Sequence, residues 1–170
     1  MKKLLLVVDM QYDFIWGTLG SPQAEAILPL VQAKVEEYRR GGHSVIFTRD
    51  THAEDYLETQ EGKYLPVAHC IRGTKGWQIA NKLDTAGCEL FDKPSFGSLA
   101  LAEKVAAGGF AEIELCGLCT DICVVSNALI LKARLPEVKL SVDAACCAGT
   151  SLESHKAALL TMRMCQVQIR

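Results

Sequence analysis

Two kinds of apolar pattern alternate along the chain. Short, unbroken apolar runs such as Leu4 to Val8 recur between longer stretches in which apolar residues return every third or fourth position. A short run rich in branched residues reads as a strand buried on both faces, and the longer spacing reads as an amphipathic helix. Leu4 to Val8 is therefore a strand, with Asp9 at its C-terminal end, and Met10 to Ser21 is loop-like. Ser21-Pro22 opens a helix whose apolar positions are Ala26, Ile27, Leu30, Val31, Val35 and Tyr38, and Gly41-Gly42 stops it. His43 to Thr48 is the second strand and ends in Arg49-Asp50-Thr51-His52. From Ala53 to Thr74 the chain is polar and irregular, a long excursion of the kind that builds a site. Trp77 to Leu83 is predicted as a short helix. Glu89 to Phe91 is a short strand running into Asp92-Lys93-Pro94, where proline ends regular pairing.

The second half repeats the alternation. Leu99 to Ala107 is helical, Gly108-Gly109 turns, and Glu112 to Cys116 is the fourth strand. Thr120 to Arg134 reads as a helix with Val124, Ala128, Leu131 and Leu135 on one side, serving either a core or an interface. Val138 to Val142 is the fifth strand, Ser151 caps a helix over Leu152 to Met162, and Gln166 to Ile169 is the sixth strand. Strands alternating with helices predict an α/β fold: a three-layer, Rossmann-like, six-stranded, mostly parallel sheet with helices on both faces. No Gly/Ser-rich or Pro-rich linker divides the 170 residues, so one domain is expected over 1–170.

Composition narrows the function. Apolar residues are 49% and charged residues 22%, the balance of a globular protein. A net charge of −2 offers no basic field for nucleic acid and no polybasic membrane anchor. No stretch approaches the roughly 20 apolar residues that span a bilayer. The opening Met-Lys-Lys-Leu-Leu-Leu-Val-Val is cut short by Asp9 and reads as a strand rather than an export signal, so a cytoplasmic protein with reduced thiols is expected despite eight cysteines.

In such a sheet, functional groups gather at the C-terminal ends of the strands. Asp9, Asp50 with His52, Lys93 and the Cys119 to Cys123 turn each follow a different strand end, so four segments should converge on one crevice. Cys116, Cys119 and Cys123 form a C-x2-C-x3-C pattern that a metal or cluster could use, but Cys116 lies in a strand-like run where a small buried hydrophobe is the ordinary reading. Cys88, Cys146, Cys147 and Cys165 read the same way. Cys123 falls in the first turn of a helix, where the partial positive charge of free N–H groups lowers a thiol pKa and could hold an oxyanion; the alternative is one more buried cysteine. Asp9, a carboxylate ending an apolar strand, needs a partner, and Lys93 at another strand end could be it unless it is a solvated surface lysine. Residues two apart on an extended segment point the same way, which aligns Asp50 with His52, and His69 could return from the excursion to join them. Aspartate with two histidines and open positions suits zinc, manganese or iron. Asp50 as a helix cap and His69 as a packed loop residue is the competing reading.

Taken together, Val-Val-Asp9-Met-Gln-Tyr-Asp-Phe, Thr-Arg-Asp50-Thr-His52, Leu-Pro-Val-Ala-His69-Cys, Lys93-Pro-Ser-Phe and Cys-Gly-Leu-Cys-Thr-Asp-Ile-Cys123 resemble the isochorismatase-like cysteine hydrolases, and within them the metal-containing nicotinamidases. The resemblance covers nearly the whole chain. It implies a triad of Asp9, Lys93 and Cys123 that hydrolyses a small amide such as nicotinamide through a thioester, with a cis peptide at Leu118-Cys119 and an oxyanion hole from the N–H groups of Cys119 and Cys123. It implies a metal on Asp50, His52 and His69, with Glu61 as a fourth ligand and Glu58 as its rival, and a ring-binding wall drawn from Phe14, Trp16, Tyr64 and Phe96. Members are often dimers or larger, so a homo-oligomer is compatible. The chain departs from the metal-containing pattern at Thr51, where an aromatic is usual after the metal aspartate. Related readings are a hydrolase of N-carbamoyl or ureide compounds and a non-catalytic small-molecule binder.

Overall fold

A computed structural model describes residues 2–170. The apolar runs become β1 (Lys3–Val8), β2 (Ser44–Asp50), β3 (Glu89–Lys93), β4 (Glu112–Leu118), β5 (Lys139–Ala148) and β6 (Gln168–Ile169). They form one sheet in the order β3-β2-β1-β4-β5-β6, and every neighbouring pair is parallel. Leu4 to Val8 are fully buried, as expected of a central strand covered on both faces. The strand order reverses between β1 and β4, which opens a crevice beyond their C-terminal ends.

The helices are α1 (Tyr12–Ile15), α2 (Pro22–Arg40), α3 (Gln60–Tyr64), α4 (Leu99–Ala107), α5 (Val125–Arg134) and α6 (Leu152–Met164). α2 packs on β1, β2, β4 and β5, whereas α4, α5 and α6 form a chain of contacting helices, with α5 and α6 also touching β5. With right-handed crossovers this strand order puts the two sets on opposite faces. Ser21, Ser98 and Ser151 each cap a helix by accepting from the N–H three residues on. Ser154 returns the bond to Ser151, closing a capping box. Val124, Ala128 and Leu131 are buried within the chain and so serve its core.

Four details differ from the sequence expectation. The buried face of α2 is Ala24, Ile27, Leu28, Val31, Val35 and Tyr38, while Ala26 and Leu30 point outward, because the helical repeat starts at Ala24. Trp77 to Leu83 is not a helix: its backbone is engaged by the segment after β1, where Ile79 bridges Gln11 and the Ala80 N–H donates to Met10 at 2.9 Å. β5 runs on to Ala148 through a bulge, since Leu115 faces Val142 but Gly117 faces Cys147. The intervening Asp143 pairs with Lys34, 2.7 Å away, which also reaches the buried Glu114 at 2.9 Å. Finally, the excursion after β2 holds a 3-10 turn at Tyr56–Glu58 followed by α3.

Candidate active site

Asp9 follows β1 directly, with φ +48, a left-handed conformation that aspartate tolerates better than most residues. The close approach there also explains a glycine: a Cβ on Gly117 would lie 2.1 Å from the Val8 carbonyl oxygen, and Gly117 has φ +115. The Thr48 hydroxyl donates to Asp9 Oδ1 at 2.5 Å and accepts from the Asp9 N–H at 3.1 Å. The other oxygen, Oδ2, is 2.7 Å from Lys93 Nζ but has no aligned hydrogen bond, which leaves a buried acceptor lone pair available. Lys93 is fully buried at the end of β3. Its ammonium lies 3.5 Å from Cys123 Sγ and 3.5 Å from Asp50 Oδ1, and it donates to the Ser95 carbonyl at 3.1 Å. One lysine therefore joins the carboxylate, the thiol and a second carboxylate.

Cys123 sits in a π-helical turn, Thr120–Val124, that leads into α5, after a cis peptide between Leu118 and Cys119. Its thiol is buried, and burial pushes its pKa well above the ordinary value, with the Asp9 charge adding to the rise and Lys93 opposing it. The sequence expectation is a lowered pKa at the start of the helix; burial instead moves it upward. Burial likewise raises Asp9 from the usual carboxylate range, against the pull of Lys93. For Lys93, burial disfavours the charge, but Asp9, Cys123 and Asp50 outweigh it and the ammonium stays protonated.

Beside this group, Asp50, His52, Glu61 and His69 present one donor atom each, all within 4.8 Å of one another. His52 Nε2 is 3.0 Å and His69 Nε2 3.6 Å from Asp50 Oδ2, while Glu61 Oε1 is 3.6 Å from His52 Nε2 and 3.8 Å from His69 Nε2. Ligands at about 2.0–2.1 Å from a tetrahedral zinc stand roughly 3.3 Å apart, so these spacings bracket the edge of such a site. His69 is oriented from its other side, Nδ1 lying 2.8 Å from the Val67 carbonyl, the kind of outer partner that metal-binding histidines keep. Burial disfavours the Asp50 charge, yet His52 and His69 hold its carboxyl well below the usual range. Burial raises Glu61. Thr59 caps α3 by accepting from the Gly62 N–H, which turns Glu61 toward the group. Glu58, at the end of the 3-10 turn and exposed, is not part of it.

A cavity of about 800 Å³ ends on both sets, lined by Cys123 and Cys119 on one side and Asp50, Glu61 and His69 on another. Asp9 and Lys93 lie behind Cys123, fully buried. Phe14, Tyr64 and Phe96 line the cavity as expected from the sequence. Trp16 does not: its indole N–H donates to Glu25 Oε1 at 3.0 Å and its ring packs on Tyr12 at 4.9 Å, which holds it away from the cavity.

Four polar residues that sequence reasoning passed over support the site. Thr48 holds Asp9, as described. The Gln11 amide donates to the Asp50 carbonyl at 2.8 Å and accepts from the Asp50 N–H at 2.7 Å, fixing the end of β2 against the loop after β1. Asp13 accepts from the Cys70 N–H at 2.8 Å, beside His69. Buried Asn127 donates to the Cys123 and Phe96 carbonyls at 2.8 and 2.9 Å and accepts from the Ser98 N–H at 3.1 Å. The available signals were Gln11 and Asp13 close behind a buried strand, and an asparagine four residues after Cys123 on an otherwise apolar helix face.

Comparison with known proteins points the same way. A nicotinamidase/pyrazinamidase from Mycobacterium tuberculosis is 27% identical over 98% of this chain and 97% of its own length. The solved nicotinamidase/pyrazinamidase of Bacillus subtilis superposes with a TM-score of 0.87 at 26% identity, covering 99% of each chain. The pyrazinamidase of Pyrococcus horikoshii, solved in complex with zinc, superposes with a TM-score of 0.88 at 24% identity over 100% of this chain and 99% of that one. Residues 3–170 match the model of the Isochorismatase domain, and with the six-stranded parallel sheet that match places the chain in the isochorismatase-like hydrolase family.

Proposed function

We propose that the protein is a cysteine amidohydrolase that converts a small carboxamide, with nicotinamide as the reference substrate, to its acid and ammonia. The observation that carries this reading is Lys93 Nζ placed 2.7 Å from Asp9 Oδ2 and 3.5 Å from Cys123 Sγ, directly behind a cavity on which the thiol opens. The nicotinamidases among its relatives, which align over nearly the whole chain, support the same chemistry.

Asp9 accepts the Cys123 proton through the free lone pair on Oδ2 as sulfur attacks the amide carbon. The carbonyl electrons move to oxygen, where the backbone N–H groups of Cys119 and Cys123 hold the oxyanion. The tetrahedral species collapses as the nitrogen takes the proton from Asp9 and leaves as ammonia. A thioester remains. Water then gives a proton to Asp9 and attacks the same carbon, and the C–S bond breaks as the sulfur takes that proton from Asp9, which releases the acid and restores the thiol and the carboxylate. Lys93 stays charged throughout, compensating Asp9 and the sulfur. Asp50, His52, His69 and Glu61 would hold a divalent metal, zinc first, which would supply an electrophilic anchor for a ring nitrogen of the substrate. The four-donor spacing supports that assignment; the likeness to the Pyrococcus horikoshii zinc complex carries the fold alone.

The family match over residues 3–170 supports reading the chain as a single hydrolase domain. Eight free cysteines support the reducing cytoplasm as its location, and no helix among the described residues is long and apolar enough to cross a membrane. The test is ammonia release from nicotinamide and other small amides by the purified protein, abolished in Cys123→Ala. Activity retained in that variant contradicts the mechanism.

A further inference from the structure

The cavity is much larger than a single carboxamide-bearing ring requires, and its wall is selective. At about 800 Å³ it falls in the upper part of the range of about 300–1,000 Å³ that encloses drug-sized ligands. Beyond the reacting end the wall is mostly hydrocarbon: Leu19, Leu65, Phe96, Leu118 and Ile122, with Tyr64 at the mouth. The polar side chains there are Ser21, Gln60 and Thr150, all uncharged. The acidic residues lining the cavity are Asp50 and Glu61, which with the lining His69 belong to the candidate metal group, and no lysine or arginine lines it among the described residues. At the mouth, Tyr64 is 83%, Phe96 43% and Leu65 38% exposed, apolar surface that an entering molecule would cover.

Resting on the amidohydrolase reading, we propose that the physiological substrate is a neutral amide whose acyl part is apolar and larger than one aromatic ring. A bulky hydrocarbon acyl group displaces water from the Leu19, Leu65, Phe96 and Ile122 wall while its carboxamide lies at Cys123. Away from the candidate metal group, a carboxylate on that acyl group would leave water for a hydrocarbon wall that offers it no lysine or arginine.

The test uses the full chain with its metal as purified and four probes: nicotinamide, 2-naphthamide, 4-phenylbenzamide and the anionic 4-carbamoylbenzoate. Ammonia release should give a kcat/KM about tenfold or more higher for the two bulky neutral amides than for nicotinamide, and about tenfold or more lower for the anion than for nicotinamide. Calorimetric titration of Cys123→Ala with the same probes reads the cavity without the chemistry and should give the same order of Kd. Turnover or binding of nicotinamide or the anion that equals or exceeds that of the bulky neutral amides overturns the proposal, as does a cavity that binds none of the probes. Bulky amides bound more tightly than nicotinamide, with none of the four probes hydrolysed by the wild-type protein, would support the cavity's preference while removing the amidohydrolase reading. A concentration-dependent dimer that Tyr64→Ser dissociates, with no preference among the probes, would assign the wall to a second copy and overturn the proposal.

Discussion

Asn127→Ala tests whether Cys123, the proposed nucleophile, is held by a side chain remote from the proposed chemistry. Asn127 is buried and makes three hydrogen bonds that tie the start of α5 to the segment joining β3 to α4: its amide donates to the Cys123 and Phe96 carbonyls and accepts from the Ser98 N–H. Truncation strands two acceptors and one donor, and the Ser98 and Cys123 groups lie where water does not readily replace the lost partner. A lost hydrogen bond costs about 1 kcal/mol net, and more when the orphaned group stays buried, so the three together should cost about 3 kcal/mol. For a chain of this size that corresponds to a fall in Tm of roughly 6–12 °C. Freed from its carbonyl anchor, Cys123 should drift from its line to the substrate, lowering kcat by about tenfold or more with a smaller change in KM. Urea unfolding followed by circular dichroism gives the stability, and ammonia release under saturation gives kcat. A variant that loses less than about 1 kcal/mol and keeps kcat within about twofold would refute the positioning argument.

Lys93→Met leaves Asp9 buried without its counter-charge and should destabilise the fold by about 3–5 kcal/mol while abolishing ammonia release; unchanged urea unfolding would show that the pair is dispensable. Asp143 gives a pH prediction. Burial opposes its charge, but the Lys34 ammonium holds its carboxyl below the ordinary 3.8, so its stabilisation is present above about pH 4 and is lost as pH falls toward the folded pKa. Asp143→Asn should therefore narrow the stability difference between about pH 7 and about pH 3, and an identical difference in the two proteins would count against the linkage. Dialysis against a chelator should lower Tm, and elemental analysis should find about one divalent ion per chain before dialysis and much less after; no stoichiometric ion would remove the metal from the proposed chemistry.

The strands were legible because a parallel sheet covered on both faces demands unbroken apolar runs, and Leu4 to Val8 is such a run. The same geometry made much of the site legible: in adjacent parallel strands, residues just past the C-terminal ends must be neighbours, which brings together Asp9 after β1, Asp50 at the end of β2 and Lys93 at the end of β3. What the sequence hid depends on tertiary contacts. Glu61 rather than Glu58 reaches the donor group because Thr59 starts a new turn between them, and Trp16 leaves the cavity because Glu25 captures its indole N–H. The thiol is the instructive case. A helix-start cysteine suggests a lowered pKa, yet complete burial raises it, and the lysine that could lower it is compensated by Asp9 at 2.7 Å. Under the proposed chemistry the sulfur therefore does not rest as a thiolate awaiting substrate. Its proton passes to Asp9 as the bond to the amide carbon forms, so activation depends on the Asp9–Lys93 pair and on the oxyanion site more than on the helix turn that first drew attention to Cys123.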